Sequence, residues 1–560
     1  MKKIISLLLS VIMVFSLVST GFSVSAEGEE LRITVANDLH YNPYYDSITT
    51  KYTEDYQHVP GNGQLWIESL LIVDTFFKEF AENDSEILLI PGDLVDHGTA
   101  EEHAEFSAYL AKYETEKKRI YVVPGNHDYY RGATPEQFAS YYAEFGYNEA
   151  IAKDTASASY VVDLNDEYRL LAIDSCVPGG GNAGIDEGRK AWIAEQAEQA
   201  QKDGKKLISM MHHNLLDHFV FGSVIHPGAF VDSAIGLPEL YAQYNIKYNF
   251  VGHTHAQDIM AYTGSNGVTV YDVLTSSLNL YPLPYRNVVF GKDVKISTKK
   301  LETVDNLSEK KDVLSDNCYA LASEDFQAYA LKCAEYGLDS VISSYANAEK
   351  IKELLKIDTK ENKDVAIVID NVADTLIELI DMPLYIKDAG SSASLESYAN
   401  QINLDFPETD MHSFRELAIF FYQQFVEGDE NYGFLSTEFV LLTAVMNTIL
   451  NRLLASVSAE DYATLLNYLA DYFNLEIQDL AIYAGSAVSR IKGIDIFVSA
   501  LADVAFLQFT TDELPADNNA TLPAYDEPVV KEETLSLFDK IIRFFKDLFN
   551  NFLRFFSLGL

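Results

Sequence analysis

The chain has 560 residues, 48% of them hydrophobic and 22% charged. This is a globular composition, and too long for one ordinary core, so two or more domains are expected. Lysine and arginine total 41 against 84 aspartates and glutamates, a formal net charge of -43, which repels polyanions and argues against nucleic acid or anionic lipid as a general partner. A small phosphoester is compatible with that field if cations reverse its sign at one pocket.

Lys2 and Lys3, the mostly apolar run Ile4 to Val18 and the small-residue site Val24-Ser25-Ala26 read residues 1–26 as a signal peptide, with a membrane anchor as the alternative. The expected location is secreted or extracellular. The best later candidate for a membrane span, Val440 to Val457, is broken by Asn447, Asn451 and Arg452. Within residues 27–305, short apolar runs alternate with amphipathic stretches. The runs begin at Arg32, Ile87, Ile120, Leu170, Leu207 and Tyr248, and the helical patterns cover 66–82, 99–115, 186–203 and 237–244. Buried strands alternating with helices predict a layered α/β domain, closed by further strands over 268–299.

Residues 306–510 change character, with long Ala-, Leu- and Glu-rich stretches at helical spacing and a helix start at Ser458-Ala459-Glu460-Asp461. They predict an all-α second domain. Residues 511–533 are acidic and carry Pro515, Pro523 and Pro528, which predicts a linker. Residues 534–560 predict a basic amphipathic helix with an apolar face from Phe538 to Phe556, suited to a membrane surface or cell envelope, or to packing back on its own protein. Cys318 and Cys333 are close enough in sequence to pair and equally well placed as free buried thiols. Cys176 reads as a small core or loop residue.

Five short segments fall at or just beyond predicted strand ends: Asn37-Asp38-Leu39-His40, Gly92-Asp93-Leu94-Val95-Asp96, Gly125-Asn126-His127-Asp128, Met211-His212-His213-Asn214 and Gly252-His253-Thr254-His255. Carboxyl ends of strands are where α/β sites assemble. One side chain from each plausible position gives seven ligands, Asp38, His40, Asp93, Asn126, His212, His253 and His255. That is too many for one metal with an open position and fits two metals sharing a carboxylate. Imidazole with carboxylate suits Mn, Fe or Zn, as two divalent or mixed-valence ions. Strand alternation favours His212 over His213 as the ligand of the pair, with His213 the alternative. Asn126 is open to a plain turn role, and Asp96 reads as support for a ligand or a proton donor rather than a surface carboxylate.

In order and type, the five segments resemble the blocks of the calcineurin-like metallophosphoesterase superfamily (D-x-H, G-D-x-x-D, G-N-H-D, H and G-H-x-H), over roughly residues 31 to 300. The stretch Asp174 to Gly184, the helix carrying Trp192, and Gln257-Asp258 after His255 resemble its cyclic-nucleotide-phosphodiesterase-like branch. Asn214 departs from the proline common there after the His pair, which puts the loop shape and substrate contacts in doubt. The resemblance implies a four-layer αββα sandwich. Asp38, His40, Asp93 and His255 would hold one metal, and Asp93 would bridge to a second held also by Asn126, His212 and His253. His127 would be the general acid and Asp128 would orient it.

The expected activity is hydrolysis of a phosphodiester or phosphomonoester by attack of a metal-bridging hydroxide. The alternatives are a non-catalytic cell-surface binding protein that works through its helical domain, and a metal-dependent nuclease, which the acidic charge disfavours. The expected partner is a small phosphoester rather than a polymeric nucleic acid. His218 and His226, in the loop after a metal block, are candidate substrate contacts. His58, His97, His103 and His412 read as solvated or structural. Tyr41, Tyr44 and Tyr45 line a substrate pocket or a tyrosine-rich surface loop. Gly179-Gly180-Gly181 reads as a flexible turn or lid.

Overall fold

The computed structural model describes residues 30–456 apart from 178–181, 219–227, 232–234, 346, 355–356, 386–392, 402–403 and 429–435, and beyond these residue 464 and residues 516–525. The signal-peptide reading, the glycine run, His226, the helix start at Ser458 and the amphipathic helix over 534–560 lie outside the described residues.

Two sheets form the core of the N-terminal domain. The first has the order β13-β12-β11-β1-β2-β3, built from β1 (Leu31–Val35), β2 (Ile87–Pro91), β3 (Arg119–Val123), β11 (Pro284–Phe290), β12 (Val294–Lys300) and β13 (Asn519–Leu522). Strands β1, β2 and β3 run parallel, and β11, β12 and β13 continue from β1 as an antiparallel extension. The second sheet has the order β4-β5-β6-β7-β8-β10-β9. Its strands are β4 (Ala152–Lys153), β5 (Tyr160–Asp163), β6 (Tyr168–Ile173), β7 (Lys206–Met211), β8 (Tyr248–Val251), β9 (Asp258–Thr263) and β10 (Thr269–Leu274).

Period-two alternation in the second sheet sorts its side chains onto two faces. Leu170, Ala172, Ile208, Met210 and Phe250 join the core shared with the first sheet. Leu171, Ile173, Leu207, Met211 and Val251 turn instead to a second core with Ile193, Ala197, Leu237 and Tyr241. Helices α1 (Ser69–Glu82), α2 (Ala100–Leu110), α3 (Pro135–Tyr141), α4 (Glu187–Asp203) and α5 (Leu237–Gln243) complete the domain. From α1, Ile72, Phe76, Phe77 and Phe80 are buried in the first core. Capping follows sequence chemistry: Thr99 and Thr134 each make a reciprocal capping box, and Asp186 caps α4. The result is the expected four-layer αββα sandwich, followed by helices.

Those helices are α6 (Asp316–Glu324), α7 (Phe326–Tyr345), α8 (Ala348–Leu354), α9 (Lys363–Ile380), α10 (Leu395–Gln401), α11 (Phe414–Glu427) and α12 (Thr437–Ser456). The boundary expected at 305/306 is not where the core ends. Cys318, Ala322, Phe326, Tyr329, Cys333 and Ala334 of α6 and α7 are buried in the core shared by the two sheets, and the Tyr329 hydroxyl donates to Glu68 (2.6 Å). A separate helical core begins at Leu379 and includes Leu384, Leu395, Leu417, Leu441 and Val445. Cys176, Cys318 and Cys333 are free and buried.

The linker expected over 511–533 is corrected for its described part. Asn519–Leu522 pairs antiparallel with β12, and Ala520, Leu522 and Tyr525 are buried. The alternation of exposed Asn519 and Thr521 with buried Ala520 and Leu522 is that of a half-buried edge strand. Among the described residues, no helix is long and apolar enough to cross a membrane.

Candidate metal centre

The five segments converge at the carboxyl ends of β1, β2, β3, β7 and β8. The backbone turns sharply there. Among the described residues, nine non-glycine positions have positive φ, and five of them are Asp38, His40, Asp93, His253 and His255. Such left-handed conformations are costly and persist where the surroundings over-determine them, typically at functional sites. The motif glycines make room: a Cβ at Gly125 would overlap the Asp93 carboxylate, and one at Gly252 would overlap that of Asp38.

Two overlapping groups of donors result. In one, His40 Nε2 lies 3.3 Å from His255 Nε2 and 3.9 Å from Asp93 Oδ2, and His255 Nε2 lies 3.5 Å from Asp38 Oδ1. In the other, His212 Nε2 lies 2.9 Å from Asn126 Oδ1, 3.1 Å from His253 Nδ1 and 3.4 Å from Asp93 Oδ2. Asp93 therefore stands between the groups. His213 also comes within reach of His212 and His253, with its Nδ1 3.0 Å from Ser175 Oγ, so the expected ligand and its alternative are both at the site.

These atoms fit cations better than they fit one another. His212 Nδ1 faces the Pro91 carbonyl oxygen at 3.1 Å, which places its proton there and leaves a lone pair on Nε2. Asn126 donates through Nδ2 to the Tyr130 hydroxyl (3.0 Å), which leaves Oδ1 pointing at that same Nε2. Two lone pairs facing each other at hydrogen-bond distance call for a cation between them. Ligands about 2.1 Å from a metal stand about 3.0–3.4 Å apart, close to the 2.9–3.5 Å that separates most of these pairs. Burial and neighbouring imidazoles hold His40 and His253 below the usual histidine range, in the neutral form that ligates. Burial also lowers His212, but Asp93 and Asp38 outweigh it and push the group up to about 9, a proton affinity that a divalent cation would satisfy instead.

His127 sits at the rim. Its Nδ1 faces the Asp96 carbonyl oxygen at 2.7 Å and Asp96 Oδ1 at 3.5 Å, leaving Nε2 for a reacting group. Burial lowers its pKa, but Asp93 and Asp96 raise it to about 9. Asp96 also accepts from Asn42 (2.8 Å) and faces His40 Nδ1 at 3.3 Å, so one carboxylate positions a candidate ligand and the candidate acid.

The orienting role expected of Asp128 is corrected. Its buried carboxylate accepts from the amides of Leu94 (3.2 Å), Val95 (3.2 Å) and Gly125 (2.8 Å), tying the β2 and β3 loops together. The reason is the 3-10 turn His127–Tyr129, which sends the residue after His127 inward. His218 is likewise no substrate contact: it is buried between Asp258 (2.7 Å) and Asp272 (3.1 Å).

Tyr41 is buried, with its hydroxyl on Glu105, and Tyr45 stacks on Trp66, while Tyr44 is exposed. Of the remaining histidines, His58 and His103 bond to buried tyrosine hydroxyls and His97 to Glu102. The residue that sequence reasoning misses is Tyr130, whose ring lies 4.2 Å from that of His127. The available signal is its place three residues on, which a 3-10 turn brings onto the same side.

The donor set is suited to a pair of divalent cations. Residues 31–257 match the family model described as calcineurin-like phosphoesterase. No curated protein matches the sequence. Solved structures to which the chain shows similarity include a dimetal phosphatase from Danio rerio, 11% identical, covering 48% of this chain and 95% of its own, with a TM-score of 0.36. Another is a purple acid phosphatase from yellow lupin (Lupinus luteus) seeds, 14% identical, covering 49% of this chain and 52% of its own, with a TM-score of 0.33.

Proposed function

We propose that the chain is an exported hydrolase of small phosphomonoesters or phosphodiesters, with Mn, Fe or Zn at both metal positions. The observation that carries this reading is the convergence of all seven candidate ligands in two groups that meet at Asp93. Asp38, His40, Asp93 and His255 would hold one cation, and Asp93, Asn126, His212 and His253 the other. When bound, the cations supply Lewis acidity, charge neutralisation and activation of water.

The protein's own side chains do the rest. Asp96 holds one His127 proton on Nδ1, and its negative charge favours the charged ring, which carries a second proton on Nε2. That proton passes to the leaving oxygen. Asp128 keeps the Asp93 and His127 loops in register. The leader-like composition of residues 1–26 supports export, and the -43 charge supports a small substrate over a polymeric one. The test is turnover of a chromogenic phosphodiester and phosphomonoester by metal-loaded protein. Chelator should abolish it, Mn or Zn should restore it, and Asp93→Asn should lose both metal and activity. Turnover that survives complete chelation rejects the proposal.

A further inference from the structure

Tyr129 and Tyr130 are adjacent but lie in opposite environments. Tyr129 is fully buried and its hydroxyl donates to Asp174 (2.9 Å), whereas Tyr130 is 50% exposed. Tyr130 is nevertheless pinned. Its amide donates to the His127 carbonyl oxygen (3.2 Å), its hydroxyl accepts from Asn126 Nδ2 (3.0 Å), and its ring lies 4.2 Å from the His127 ring at 37°. An exposed aromatic ring held at its hydroxyl and against a neighbouring ring has lost much of its rotamer freedom before any ligand arrives, and such preorganisation favours binding. Because His127 Nδ1 is engaged by Asp96, only Nε2 is left to face a leaving oxygen, so the group carried by that oxygen must lie beside the imidazole.

We propose that Tyr130 is a leaving-group platform, and that the site prefers phosphoesters whose leaving group is a planar ring. This rests on the phosphoesterase reading and narrows it to aryl or nucleoside esters. The face of a phenol accepts any flat ring and gains little from an alkyl chain. The Tyr130 hydroxyl contributes separately: by accepting from Asn126 Nδ2 it keeps Asn126 Oδ1 aimed at the metal position.

The test compares Tyr130→Phe, Tyr130→Trp and Tyr130→Leu in the full chain loaded with Mn. The readouts are the ratio of kcat/KM for phenyl phosphate to that for glycerol phosphate, and the ratio of Kd for phenylphosphonate to that for methylphosphonate by calorimetry. Stacking on an aromatic side chain is worth about tenfold or more in binding. Wild type should prefer the phenyl ligand by about that factor. Phe and Trp should keep the wild-type ratios, and Leu, which has no flat face, should move both by about tenfold against the phenyl ligand, the part that stacking contributes. Phe should also lower metal occupancy, measured by elemental analysis. Wild type without a phenyl preference, or Leu with the wild-type ratio in both assays, would overturn the platform. Failure of wild type to hydrolyse either ester, with the phosphonate ratios as expected, would instead count against the phosphoesterase reading alone.

Discussion

Replacing His218 with glutamine tests whether the buried His218–Asp258–Asp272 cluster holds the second sheet to the loop after β7. Asp272 accepts from the amides of Leu215 (2.8 Å) and Leu216 (2.9 Å) and from Asn249 (2.8 Å), so its charge is fixed in place. Burial alone would lower the His218 pKa, but Asp258 and Asp272 push it up to about 10. The folded chain therefore keeps a proton that an unfolded histidine near 6.5 releases. A gap from 6.5 to about 10 at about 1.36 kcal/mol per unit is roughly 5 kcal/mol. Removing one partner of a buried ion pair costs about 3–5 kcal/mol, which agrees.

This stabilisation is complete below pH 6.5 and is lost as pH rises toward 10. His218→Gln should thus lower the unfolding free energy by about 3–5 kcal/mol at pH 7. The gap to wild type should narrow by about 1.4 kcal/mol per pH unit from pH 7 to 9. Urea titrations at pH 7, 8 and 9, followed by fluorescence, read it directly, since both tryptophans, Trp66 and Trp192, lie in the catalytic domain. A loss under about 1 kcal/mol at pH 7, or a gap independent of pH, would refute the reasoning.

Asp96→Asn removes the carboxylate that raises His127, so His127 should titrate lower. The alkaline limb of kcat/KM should move down by about one pH unit or more, and an unmoved limb counts against His127 as the acid. Gly125→Ala should drive Asp93 from its place and cut metal stoichiometry, as read by elemental analysis, whereas Gly61→Ala, with nothing within 4 Å of its Cβ position, should leave it unchanged. The pair Leu522→Ala and Tyr525→Ala should destabilise the catalytic domain by about 3–6 kcal/mol, measured by calorimetry, because both side chains are buried in its core.

The metal positions are legible in the sequence because each ligand block is local: a strand, a turn and one or two donors. The role of Asp128 is not, because adjacency to His127 says nothing about direction, which the turn decides. Nor is that of His218, whose partners Asp258 and Asp272 come from two later strands. The periodicity of α6 and α7 shows that each has an apolar face but not which core receives it. A four-residue strand with Pro523 immediately after it leaves almost no pattern to read, so β13 looks like linker until its pairing with β12 is seen.

That late strand alters how the polypeptide is partitioned. The helical region lies between β12, ending at Lys300, and β13, starting at Asn519, so it is inserted into the catalytic unit rather than appended to it. Until the ribosome has passed Leu522, the β12 edge has no strand of its own to pair with, and open edges invite intermolecular pairing. The first sheet is thus finished by nearly the last stretch of described chain to be synthesised, which ties its maturation to completion of the helical region inserted within it.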